Sequence, residues 1–377
     1  VFCHFRREAA ECSKTMGYSG SMTNSLAFRR SAASILSALC LVVGIVLIPS
    51  GAHAEQSSSP SCSGLGYTVA RADEVLVAFD LATGATTGTQ VPTGSGPQGI
   101  AVSADGSTVV VAAYGDDEVE FYDAATLALV DTTSVIAPTF VAINPVSGFI
   151  YVSQDGVNQI SMLDPTSRAV TGVFATGGAV NAMAFTPDGT TLLAVETLSS
   201  AIEIFDQTGT QIGSPIALGA NPNAVVVTPD GTTAYVSATF QNKIIEINLT
   251  TLTQTNHSVG NLPLGIAVSP DGGYLWVPLM GAGQVQVFAL PAFTAETTIP
   301  VPGNPSVIVF APGMDILYVT AQIASTLTGI STLDRSVVST EAIAGGPFAM
   351  ALCPLVKPVP VTTTTVAVDP VAPAFTG

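Results

Sequence analysis

The sequence predicts an all-β chain, a seven-bladed β-propeller of four-stranded antiparallel blades, on three observations. The first is a repeat. A Gly-x-x-Pro-like opening is centred on Pro97, Pro138, Val180, Pro222, Pro263, Pro305 and Pro347, in steps of 41 or 42 residues. A period near 40 with several short strands per unit marks propeller blades. The second is the content of each unit. Residues 262–290, LPLGIAVSPDGGYLWVPLMGAGQVQVFAL, hold three short apolar runs rich in β-branched and aromatic types. A Ser-Pro-Asp-Gly turn and a small polar loop separate them, so the runs read as strands. The third is a split unit. Residues 66–91 match the second, third and outer strands of a blade, and the missing first strand reappears at residues 347–353. Six complete units and one split unit make seven.

Taken in order, residues 1–54 read as a secretory leader. Arg29-Arg30 precede an apolar run over residues 33–48, and Ala52-His53-Ala54 offers a cleavage site after Ala54. The run is shorter than the 18 or more apolar residues a span needs, so no membrane span is expected in the mature chain. Ser31-Ala32-Ala33 lack the bulky apolar pattern of a twin-arginine signal. Residues 55–65 form a Ser-rich spacer, residues 66–353 the propeller, and residues 354–377 a Pro/Thr-rich tail that reads as an extended linker. The tail's final Ala374-Phe375-Thr376-Gly377 is faintly like a sortase signal, with no hydrophobic span after it.

The chain's formal net charge is −17. Of its ten cations, only Arg71, Arg168, Lys243, Arg335 and Lys357 follow residue 54, while Glu8 and Glu11 are the only acids before it. The part after the leader is therefore more acidic than the whole. Such a surface repels phosphate backbones, so nucleic acid is not expected as a partner. The expected partner is an extracellular ligand, protein or glycan.

The inner strands are expected at residues 99–102, 140–143, 182–185, 224–227, 265–268 and 307–310, almost wholly apolar. The turn after each follows in step, at Asp105-Gly106, Ser147-Gly148, Asp188-Gly189, Asp230-Gly231, Asp271-Gly272 and a degenerate Pro312-Gly313. At the exit of the third strand stand Asp80, Asp123, Asp164, Asp206 and Asn248, each followed closely by Thr, Ser or Gly. A short Asx side chain accepting from the backbone two residues on accounts for them structurally.

A propeller must hide its last edge strand, and joining the two chain ends in one sheet does so. After the leader only Cys62 and Cys353 remain. Cys353 ends the first strand of the split blade and Cys62 just precedes the second, where complete blades have a covalent turn. A disulfide between them is expected there. It requires an oxidising compartment, in agreement with the leader.

Tyr151-Val152-Ser153, Tyr235-Val236-Ser237 and Tyr318-Val319-Thr320, together with the Pro-Asp-Gly turns, resemble the YVTN-repeat β-propellers, which include surface-layer propellers and secreted YncE-like proteins. The resemblance covers about residues 66–353. It implies binding or scaffolding more than catalysis, with lactonase-like and streptogramin-lyase-like enzymes among related propellers. The fourth motif position is never Asn in this chain.

In this fold the loops between second and third strands gather with the blade connections around the channel mouth. The polar candidates there are Asp116, Asp117, Glu118, Asp155, Asn158, Glu196, Gln241 and Asn242. Oxygen groups of this kind suit Ca²⁺ or a small polar ligand, but no loop repeats a ligand spacing, so solvated loop polarity is the competing account and no cofactor is assigned. His257 is the only histidine after the leader, on an outer strand, which leaves no zinc or copper cluster and no place for a Ser-His-Asp triad. Trp276 reads as blade packing, and Asn248 and Asn256 open glycosylation sequons. The functional readings are therefore a non-enzymatic secreted or surface binding module, a metal-assisted lactonase-like hydrolase or lyase, and an envelope structural subunit.

Overall fold

A computed structural model describes residues 62–219 and 221–354, and the expected leader and most of the tail lie outside the described residues. Seven four-stranded antiparallel sheets stand in chain order as blades 1 to 7. Blade 1 is the split one. Its inner strand, Pro347–Leu352, pairs with Leu65–Ala70 in the register Gly66↔Leu352 to Val69↔Ala349. Cys62 and Cys353 form a disulfide beside this pairing, with Cα atoms 5.7 Å apart. Among the described residues no helix is long and apolar enough to cross a membrane.

The hydrophobic core is seven separate clusters, each between two neighbouring blades. Val109 and Val111 of blade 2 pack with Tyr67 and Leu76 of blade 1, and Tyr318 and Leu327 of blade 7 pack with Phe79 and Leu81 of blade 1. Trp276 is buried between blades 6 and 7. The second strands are buried along nearly their whole length, whereas the inner strands are largely half-buried. The apolar inner strands are thus only partly covered by neighbouring blades.

Turn chemistry explains the regularity. Asp80, Asp164, Asp206 and Asn248 each accept the backbone N–H two residues on, at 2.8–3.0 Å, and Asp123 accepts that of Thr126 at 2.8 Å. In the Pro-Asp-Gly-type turns the preceding Ser103, Thr186, Thr228 or Ser269 hydroxyl donates to Asp105, Asp188, Asp230 or Asp271. The same hydroxyl accepts the N–H that opens the second strand. Where Ser147 replaces Asp, Asn144 takes the task by accepting from Val146 and Ser147.

The Tyr-Val-Ser/Thr motif has a physical meaning in each position. The tyrosine reaches the next blade: Tyr67 donates to the Ala124 carbonyl at 2.6 Å, Tyr318 to that of Leu81 at 2.9 Å, and Tyr151 to that of Gln207. The valine faces the core on the other side of its sheet. The hydroxyl residue serves the inner strand, which begins earlier than expected. Observed bounds are Pro97–Val102, Pro138–Ile143, Val180–Phe185, Pro222–Val227 and Pro305–Phe310. Each is interrupted after its first residue by a bulge, because that residue pairs with the end of the second strand and the next one or two do not. Ser153, Ser237 and Thr320 accept the N–H of Phe140, Ala224 and Val307, which the two-residue bulges leave without a ladder partner. Blade 6 departs further. Its inner strand is only Ala267–Val268, and Gly265 N–H donates to the Ser306 carbonyl of blade 7 instead.

Removing one of the tyrosine hydroxyls isolates an inter-blade link. Tyr67→Phe and Tyr318→Phe should each lose about 1–2 kcal/mol in urea unfolding, since a buried carbonyl is left without its donor. Tyr235→Phe, for which no such bond is formed among the described residues, serves as the control.

Candidate functional site

Seven loops join second to third strands, at residues 71–74, 114–117, 155–158, 197–200, 239–242, 280–283 and 322–325. Their fourth positions are Glu74, Asp117, Asn158, Ser200, Asn242, Gly283 and Ser325, all at φ between 48° and 62°. Each offers its carbonyl to an N–H of the outgoing connector, from Thr93, Val135, Thr176, Leu218, Val259, Val301 and Ile343, at 2.8–3.0 Å. The loops therefore repeat a backbone bond. The left-handed conformation favours Asn, Asp and Gly, which supplies a structural reason for Asp117, Asn158 and Asn242.

Several candidate side chains also fasten the connectors. Asp117 accepts from Ala137 N–H at 2.7 Å and Asn242 from Leu262 N–H at 2.8 Å. Asp116 accepts from Ser95 N–H at 2.8 Å, beside Glu74, which accepts from the Ser95 hydroxyl. Gln241 donates to the Gly219 carbonyl. Glu118 is half-buried at the head of its strand and Asn158 is exposed. Asp116, Asp117, Gln241 and Asn242 each fasten a connector between blades.

Glu196 has a partner the sequence reading missed. It ends the second strand of blade 4, and Glu203 stands in the middle of the third, AIEIFD. Ala194 pairs with Glu203 and Glu196 with Ala201, so the two carboxyls are diagonal neighbours on one face. Both are buried. Glu196 accepts from Gly178 N–H at 2.9 Å and from the Ser199 hydroxyl, and Glu203 accepts from Gly177 N–H at 3.1 Å and from Gln211 at 3.2 Å. Burial first, and then the adjacent Glu196, push the Glu203 carboxyl up to about 7. A related device holds Glu120 in blade 2, which accepts from Gly94 N–H and the Tyr122 hydroxyl and is raised mainly by burial.

The first loop position reaches the opening of the next blade. Thr197 and Thr239 donate to the carbonyls of Pro222 and Pro263, which open the next blade's inner segment. Arg71 lies over the Phe348 ring of its own inner strand, 5.1 Å from the centroid. Tyr114 donates to Asp155 at 3.4 Å, from one blade to the next. Asp155 is thus the one early candidate in this ring. The bulges put Gln98, Asn181, Asn223, Ser306 and Phe348, all half-buried, at the same end of the inner strands. Bulges re-aim side chains and recur next to binding sites. The available signal was a polar residue directly after the repeat's opening position, in an otherwise apolar strand.

No three His, Cys, Asp or Glu side chains among the described residues group as a metal site. The Glu196–Glu203 pair is already engaged by backbone N–H groups, and Ca²⁺ needs six to eight oxygens. These donors do not fit a resident metal ion.

Residues 216–323 match the model of a family described as the SMP-30/Gluconolactonase/LRE-like region. A search of the curated proteins found no match. Among solved structures, a functionally unknown protein from Desulfotomaculum acetoxidans is similar at 19% identity and TM-score 0.68, covering 77% of this chain and 99% of its own. A 6-phosphogluconolactonase, itself assigned provisionally, from Bacteroides uniformis is similar at 15% identity and TM-score 0.66, covering 76% and 98%. A streptogramin B lyase gives 16% identity and TM-score 0.60, covering 68% and 87%. At these identities the likeness is one of fold.

Proposed function

We propose that the chain is exported and acts outside the cell as a YVTN-like propeller that binds a small polar ligand at its channel mouth without turning it over. One observation carries the reading. The turns after the inner strands and at third-strand exits repeat Asp, Asn and Gly from blade to blade, but the ring at 71, 114, 155, 197, 239, 280 and 322 reads Arg, Tyr, Asp, Thr, Thr, Met, Gln. Backbone bonds account for Thr197 and Thr239, and a ligand that meets each blade differently accounts for the divergence of the others. The half-buried amides of Gln98, Asn181 and Asn223 add donors and acceptors at the same end. The disulfide supports an oxidising compartment.

The second reading is a lactonase-like hydrolase or lyase. It is favoured by the family match over residues 216–323 and by the lactonase and lyase among similar folds. That match begins in blade 4 and leaves out Arg71, Gln98, Tyr114, Asp155 and Asn181.

A thermal-shift screen of the full chain against small polar metabolites and glycans, followed by a hydrolysis assay on lactones, separates the two. The binding reading expects a stabilising hit that Gln98→Ala with Asn181→Ala weakens tenfold or more, with the free protein's melting point moved by less than about 2 °C. Lactone turnover by the wild type would decide for the hydrolase. Export is checked by N-terminal sequencing of secreted protein, which should begin at Glu55.

A further inference from the structure

We propose that the ligand carries a carboxylate and that Arg71, stacked on Phe348, receives it. The inference rests on the mouth being a binding face, and it adds the ligand's charge and the blade that anchors it. The three described arginines invite comparison. Each lies over an aromatic ring: Arg168 over Phe121 at 5.3 Å, Arg335 over Tyr274 at 4.6 Å and Arg71 over Phe348 at 5.1 Å. Two of them also hold a carboxylate. Arg168 pairs with Asp131 at 3.4 Å and Arg335 with Glu296 at 2.9 Å. Arg71 has the ring and, among the described residues, no carboxylate partner. Asp73, two residues on, packs instead against the connector, where a Cβ on Gly345 would come within 2.6 Å of its carboxyl carbon.

Stacking occupies the guanidinium's face and leaves its edge, which is the part that grips a carboxylate through two parallel N–H bonds. The group is always charged, and its aromatic platform pre-sets its orientation. In a chain with net charge −17 a small acid is repelled from most of the surface. Arg71, with no carboxylate partner among the described residues, makes that place an exception. Phe348 is itself a bulge residue of the inner strand, so the platform belongs to the same end as the Gln98, Asn181 and Asn223 amides. Those amides suit the neutral polar remainder of such an acid.

The test uses the full chain and ligand-observed saturation-transfer NMR with paired probes: gluconate and gluconamide, lactate and lactamide, and N-acetylalanine and its amide. The last pair distinguishes a peptide C-terminus from a free small acid. The expected result is that acids bind at least tenfold tighter than their own amides. Arg71→Gln removes that preference and leaves the circular dichroism spectrum unchanged, and Phe348→Leu weakens the acids threefold or more. Equal binding of acids and amides, or a preference that survives Arg71→Gln, overturns the proposal. If Gln98→Ala with Asn181→Ala weakens both sets while the acid-to-amide ratio stays near one, the mouth stands and the carboxylate falls. If neither set binds, both fall together.

Discussion

Replacing both Cys62 and Cys353 by alanine is expected to produce a large loss of stability. The two residues lie 291 positions apart, so the bond closes almost the whole ring into one loop. Chain entropy for a loop of that length amounts to roughly 5–6 kcal/mol, an upper figure because the unfolded chain is not a random coil. Every other blade keeps its inner and second strands together through a short covalent turn. In blade 1 that turn is replaced by the disulfide, beside five paired residues and the Cys353 N–H bond to the Leu65 carbonyl. Alanine suits both sites, since the two cysteines are buried with Tyr67, Leu76 and Val109 and leave no polar group behind. The double variant should melt about 10 °C or more below the oxidised wild type, and reductant should bring the wild type to the same place. A shift under about 2 °C, or two cysteines alkylated without reductant, would show that strand pairing alone closes the ring.

Much of this architecture was legible because the repeat puts the same chemistry at the same place. The Asx residues at third-strand exits and the Pro-Asp-Gly turns are local devices, and local devices survive in a sequence. The start of the inner strands was not legible. A bulge after Pro97, Pro138 or Pro222 breaks the two-residue alternation on which strand reading depends. The compensating bond comes from a hydroxyl 13 positions away, as from Ser153 to Phe140.

The loops of the candidate site were legible as loops, and which of their side chains meet one another was less so. Reading acids in polar loops found Asp116, Asp117 and Asn242, whose backbone angles and connector bonds account for them. It also found Asp155, which does face its neighbour across a blade boundary. It passed over Arg71, because a single arginine in a loop has no pattern until Phe348, from the far end of the chain, is placed beneath it. Glu203 was passed over for a different reason. A carboxyl inside an apolar strand needs a buried partner, and the partner's position follows only from strand register.

That register sets up the second large effect. Glu203 is expected to make stability fall as pH rises, against the usual behaviour of carboxylates. Its folded value, about 7, lies above its ordinary value of 4.5 because burial, and then Glu196, disfavour its charged form. Between those two values the folded chain keeps a proton that the unfolded chain has released. Stability therefore drops through that window and levels off above 7. Allowing for water near the site, the fall from pH 5 to pH 8 should be about 2 kcal/mol. The turn aspartates do not mask it. Asp80, Asp164, Asp188 and Asp230 are held below the ordinary range by hydrogen bonds, so their contribution is present throughout this window and is lost only at lower pH. Glu203→Gln keeps the shape and the hydrogen bond toward Glu196 but cannot ionise. It should remove most of the fall in urea-derived stability between pH 5 and pH 8, leaving what Glu120, also raised by burial, contributes, and leave the variant about 1–2 kcal/mol more stable than wild type at pH 8. A wild type already flat over that range, or a variant that keeps the whole slope, would mean that Glu203 does not hold a proton in that window. The carboxyls hold the Gly177–Gly178 connector, which leads within three residues to Asn181 at the mouth. Ionisation of Glu203 adds a negative charge beneath that connector, so the same titration should weaken ligand binding through Asn181 above pH 7, and Glu203→Gln should remove that dependence as well.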